Sequence, residues 1–183
     1  MTRRWMRIGA VTAGSILAVG LVPGAANAAT GVVKDPRGDA PKVADITKLQ
    51  LKNTERRVTG TITLAHPRRV KKLAATDLIL RTKDSGRYRY VVSVVRNEDG
   101  VVTNRQLGWV IPDDPATYKP LVCDGITTKW LSKKRFRISV PVSCLTETTG
   151  RRVKARAAIL ARVGPGHDSY DERTPATRWI RRG

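Results

Sequence analysis

Cysteine, histidine and phenylalanine are nearly missing: two Cys, two His and one Phe in 183 residues. So few Cys and His exclude a multi-ligand zinc site and a Cys-rich scaffold. Acids are also scarce, with 15 Asp and Glu against 35 Lys and Arg and a formal charge of +20. Such a balance favours anionic over cationic partners. Aromatic residues make up 5%, and no Gly-aromatic ribonucleoprotein motif appears. The usual RNA-binding sheet is therefore disfavoured, and no specific nucleic-acid recognition is expected. Hydrophobic residues still make up 40%, enough for one core and too many for wholesale disorder.

Residues Met1 to Ala28 read as a secretory signal peptide. Arg3, Arg4 and Arg7 form a positive start. Ile8 to Leu21 is an uncharged, mostly apolar run, short for a membrane span and interrupted by Gly and Ser. Ala26-Asn27-Ala28 is a small-x-small cleavage site, so processing is expected before Ala29. No Cys adjoins that site, which argues against a lipid anchor. The expected address is extracellular, with no transmembrane segment after processing. The length that remains, 29–183, suits a single domain, with 164–183 as a Pro- and charge-bearing tail packed on the sheet.

That segment is rich in Val, Ile and Thr, which is strand composition. Alternation runs through Val58, Gly60, Ile62 and Leu64, and through Tyr88, Tyr90, Val92 and Val94. It recurs in Phe136, Ile138 and Val140, and in Val153, Ala155, Ala157, Ile159 and Ala161. Arg151 to Arg162 also suits a helix by propensity, but its unbroken small-apolar phase favours a strand. Turn signals such as Lys83-Asp84-Ser85-Gly86 and Asn97-Glu98-Asp99-Gly100 separate the runs. The pattern predicts an all-β fold: an antiparallel β-sandwich of eight or nine strands, or alternatively a barrel.

Outside the cell, two Cys in a small domain usually pair. A hairpin centred on Lys133-Lys134 pairs residues whose numbers sum to 267, which sets Cys123 opposite Cys144. That register also sets Leu131 against Phe136 and Thr127 against Val140. A bridge closing a loop of about 20 residues contributes roughly 3 kcal/mol in the entropy model.

Three constellations could carry function. Asp35, Asp39 and Asp45 surround a Gly turn, and their carboxylates could supply oxygen ligands to calcium. The same acids could equally shape Asx-type turns before the first strand. His66 and His167 are the only side chains suited to neutral-pH acid–base work, and neither has a motif-level nucleophile beside it. Lys and Arg are spread in pairs along the chain. Lys133, Lys134 and Arg135 form the densest turn and are the expected contact with anionic polymers, by charge alone. The competing reading is that the charge only keeps the chain soluble.

Asp35 to Asp39, followed by Ala44-Asp45-Ile46, resembles the opening of family-nine carbohydrate-binding modules and of DOMON-type sandwiches. Together with Cys123 to Gly125, Val140 to Leu145 and Arg178-Trp179, the order also resembles small secreted proteins of high-GC Gram-positive bacteria. The first resemblance implies calcium-assisted sugar binding, although the alternation sets no two of Trp109, Trp130 and Trp179 on one face. The second implies a fold and an address, with teichoic acids, anionic lipid headgroups and extracellular DNA as the polyanions at hand. The expectation is therefore a secreted, non-catalytic, basic β-sandwich with polyanion affinity. A calcium-assisted carbohydrate binder, or a secreted hydrolase using His66 or His167, is the alternative.

Overall fold

The computed structural model describes residues 29–67, 70–112, 114–145, 151–163 and 169–183. The expected signal peptide, 1–28, lies outside them. Twelve strands follow in order: β1 (Ala29–Lys34), β2 (Ile46–Asn53), β3 (Arg57–Leu64), β4 (Leu73–Thr82), β5 (Arg89–Arg96), β6 (Val102–Ile111), β7 (Asp114–Leu121), β8 (Thr127–Trp130), β9 (Arg135–Pro141), β10 (Arg152–Arg162), β11 (Ser169–Arg173) and β12 (Ile180–Arg181). Among the described residues the only helical pieces are two 3₁₀ turns. The count exceeds the expected eight or nine because several of the extra strands lack apolar alternation. β7 carries two Pro, β8 has four residues and β12 has two, so pairing rather than side-chain phase defines them.

All pairing is antiparallel. One sheet runs β1-β2-β3-β9-β8, and the other runs β11-β10-β4-β5-β6-β7 with β12 also paired to β10. The two sheets pack as a sandwich. Alternation explains the packing directly: Val58, Ile62, Ile138 and Val140 from the first sheet face Leu78, Leu80, Val92, Ala155, Ala157 and Ile159 from the second, all buried. A Cβ on Gly60 would lie 2.5 Å from the Leu78 side chain. Only glycine there lets Leu78 reach across to β3.

β10 is a strand over its whole length, as its small-apolar phase predicts. Ala residues on its inner face let the sheets approach, where larger side chains would overpack. The described part of the tail meets the outer sheet face at Trp179, whose ring lies against Arg81 and Lys154. It adds to the free edge of β10, first as β11 and then as β12. Between them, Thr174 and Thr177 accept hydrogen bonds at their hydroxyls from the amides of Ala157 and Ala155. Their own amides donate to the carbonyls of the same two residues. Two threonines thus satisfy an edge that would otherwise be open to other chains.

The inward phase of β5 ends on a charge. Arg96 follows Val92 and Val94 on the inner face and is almost fully buried. Its guanidinium lies 4.8 Å from the Phe136 ring centre and donates to the Thr76 hydroxyl and the Val94 carbonyl. Nε and Nη2 are buried without a partner among the described residues. Burial, with the nearby Arg105 charge, pulls its pKa down to about 10. Arg162 braces the same corner, donating to the Arg96, Asn97 and Leu73 carbonyls.

Cys123 and Cys144 form a disulfide with Cα atoms 5.4 Å apart. The register that led to this pairing is off by one. Trp130 opposes Phe136 and Thr127 opposes Ser139, a sum of 266 rather than 267. Both Cys lie beyond the paired residues of β8 and β9, Cys123 in the loop just before the turn at Asp124-Gly125 and Cys144 on a 3₁₀ segment, where the register no longer applies. Arg57 fixes that turn: it donates to the Gly125 carbonyl at 2.6 Å and to the Ser139 hydroxyl and carbonyl.

Candidate functional site

On the outer face of the larger sheet, charges that are remote in sequence become neighbours. Antiparallel register sets Arg81 of β4 against Lys154 of β10, and Ile79 against Arg156. Ile79 pairs with Val91 of β5, and Arg89 pairs with Val110 of β6. Arg173 of β11 sits opposite Ala158. The result is a groove of about 500 Å³, walled by Arg81, Arg89, Lys154, Arg156 and Arg173 over an apolar floor of Ile79, Val91 and Val110. Asp77 is the single carboxylate in its lining among the described residues.

The crowding has an electrostatic signature. Partial burial and then the charges of Arg81, Arg89 and Arg156 hold the Lys154 ammonium below its ordinary pKa. An anion in the groove would relieve that repulsion. Trp179 presents its ring to the Lys154 Nζ at 5.0 Å and to the Arg81 guanidinium at 5.9 Å. Such cation–π contacts orient both groups, and Arg81 is held further by a hydrogen bond from Nη2 to the Gly86 carbonyl. At the far end, Tyr118 covers Gly108, where a Cβ would collide with the ring. Burial and the Asp77 charge push the Tyr118 hydroxyl above its usual pKa.

A second cleft, of about 520 Å³, opens beside the first. It is lined by Arg151, Arg152, Arg181, Arg182 and Glu55. Arg152 and Arg181 are direct cross-strand partners, and Arg182 lies 4.0 Å from Glu55.

The residues singled out in sequence are distributed differently. Lys133, Lys134 and Arg135 are exposed at the β8–β9 hairpin, on the other sheet from the groove. Lys134 donates its ammonium to the Ala65 carbonyl at 2.9 Å, so it braces the preceding loop. Asp35, Asp39 and Asp45 do gather at the first turn. Burial, then Asp39 and Asp45, raises the pKa of Asp35. Asp45 is buried; its Oδ2 accepts the Gly38 amide at 3.0 Å, and its Oδ1 has no partner among the described residues. Gly38 has φ of 89°, a turn that a β-carbon would strain. Among the described residues no three His, Cys, Asp or Glu side chains are arranged to hold a metal ion. His66 lies in the bend after β3 and bonds no nucleophile or carboxylate among the described residues. His167 falls outside them.

Sequence reading missed the groove because its bases enter singly, one or two per strand. The signal was present in the outward phase: Arg89 between Tyr88 and Tyr90, Lys154 between Val153 and Ala155, and Arg156 between Ala155 and Ala157. No family model, curated protein or solved structure matches the chain.

Proposed function

We propose that this protein is a secreted, non-catalytic module that binds anionic polymers through the outer face of its larger sheet. The observation that carries the reading is the crowding of Arg81, Arg89 and Arg156 around Lys154 in an open groove. Like charges held this close repel, and an anion offsets that cost on binding. Forked guanidiniums suit phosphate and carboxylate oxygens. The site differs from the hairpin expected from sequence: Lys133, Lys134 and Arg135 contribute general attraction, and the groove contributes the contact.

Retention on heparin or teichoic-acid resin across a salt gradient tests this. Wild-type protein should be held and should elute late. Replacing Lys154 and Arg156 together with Gln should move elution to clearly lower salt, while Lys133→Gln with Lys134→Gln should move it less. Equal shifts for the two pairs would reduce the reading to unspecific charge. Elution of the wild type at very low salt would remove it.

A second reading is favoured by Asp45, whose Oδ1 is buried without a partner among the described residues beside Asp35 and Asp39. A calcium ion at this turn would draw on these carboxylates and would serve a calcium-assisted carbohydrate binder. A calcium-dependent rise in Tm, lost in Asp45→Asn, would support it. Identical Tm with calcium and with chelator would dismiss it.

A further inference from the structure

The two basic clefts share one strand. Lys154 and Arg156 line the groove, and Arg152 lines the second cleft. All three project on the outward phase of β10, since Val153, Ala155 and Ala157 are buried on the inward phase. Outward residues on a strand repeat about every 7 Å. Cross-strand cations widen the row at three points, Arg181 beside Arg152, Arg81 beside Lys154 and Arg173 opposite Ala158, while Arg156 faces Ile79 and Ala158 also faces Asp77. No acid interrupts the row on β10 itself, from Arg152 to Arg162. The stripe from Arg152 to Ala158 is about 20 Å long.

From this geometry we infer that a single phosphodiester chain lies lengthwise along β10 and spans both clefts, with about one phosphate per two-residue step. This rests on the polyanion reading above and deepens it. A single row suits one chain carrying one charge per repeat. The two rails of a duplex would need a second row at groove spacing. The shared chemistry is the phosphodiester backbone, whether of a wall polyol phosphate or of single-stranded nucleic acid. Guanidinium forks and the Lys154 ammonium take the phosphate oxygens, and Trp179 flanks the row where a base could stack.

Length dependence is the test. Oligo(dT) of two to twelve phosphates is titrated into the full secreted chain at several salt concentrations. Affinity at low salt should climb by about tenfold or more between two and four phosphates and then level off. The log–log salt slope should saturate near −2 to −3, at about 0.7 per neutralised phosphate of a single strand. Lys154→Gln, at the middle of the stripe, should remove the gain beyond two phosphates. Arg137→Gln, on the other sheet, should leave it, and matching thermal melts would show both variants folded. A glycerol-phosphate oligomer of equal charge with the same slope and affinity identifies the backbone as the ligand. Tighter oligo(dT) that weakens in Trp179→Ala identifies single-stranded nucleic acid as the source.

A slope that is the same for two phosphates and for eight would overturn the stripe and leave the polyanion reading standing. So would a slope that grows without limit, a duplex bound as tightly as the single strand, or heparin fragments preferred at equal charge. Failure to bind any anion at low salt would overturn both.

Discussion

The two faces of β10 teach different things. Its inward face reads Val153, Ala155, Ala157, Ile159 and Ala161, all buried. Its outward face reads Arg152, Lys154 and Arg156, exposed or half-buried. The same backbone carries both, one residue out of step. Burial makes the inward positions intolerant of volume and charge, because the opposite sheet fills the space within van der Waals contact. Solvent makes the outward positions tolerant as far as the fold is concerned.

Substitutions of opposite phase break or sharpen this contrast, and the largest effect belongs to the inner face. Ala157→Glu puts an unpaired carboxylate between the sheets, opposite Leu78. It should cost more than about 4 kcal/mol and abolish cooperative unfolding in a thermal melt. Its neighbour Arg156→Glu should melt within about 0.5 kcal/mol of wild type while weakening anion retention. Comparable melts for the two would mean that β10 is not phased as described.

The disulfide comes next. Cys123→Ser with Cys144→Ser should lower unfolding free energy by about 3 kcal/mol in urea. Both sheets should persist in the far-ultraviolet spectrum, because the bridge joins segments outside the β8–β9 pairing.

Arg96 tests whether a charge on an inner face is tolerated or merely endured. Its folded pKa is lowered to about 10, so the folded chain binds that proton less tightly than the unfolded chain does. Holding the charge therefore costs stability at neutral pH, and the cost lifts as pH rises through about 10. Arg96→Met keeps the stem against Phe136 and removes the buried donors. It should be neutral or stabilising by about 1–4 kcal/mol in chemical denaturation. A large loss would show that the guanidinium is instead required to hold that corner.

The smallest effect is at the first turn. The pKa of Asp35 is raised, so the folded chain keeps this proton to higher pH than the unfolded chain does. The group therefore costs stability progressively as pH rises from 3.8 through its folded value. Asp35→Asn should raise Tm at pH 7 by no more than about 2 °C and leave it unchanged at pH 3. A fall in Tm at pH 7 in calcium-containing buffer, absent with chelator, would point to a bound cation instead.

Sequence by itself determined the sandwich and the disulfide. Period-two alternation of Val, Ile, Leu and Ala is a local signal, and each strand reports its own inner face. Phase also assigned β10 correctly against the helix propensity of its Arg, Ala and Leu. A cross-strand register is not local. The hairpin count was off by one residue, since turn geometry at 131–135, rather than the midpoint of the basic run, sets which residues pair. Strands without alternation, such as β7 and β12, exist only because a neighbour offers backbone partners. The groove belongs to the same class. Arg81, Arg89, Lys154, Arg156 and Arg173 come from four strands, and only the strand order β11-β10-β4-β5 brings them together. Charge density along the chain pointed to Lys133, Lys134 and Arg135. Charge density in space is a sum over neighbours that the fold chooses, because a sheet makes neighbours of residues far apart in the chain.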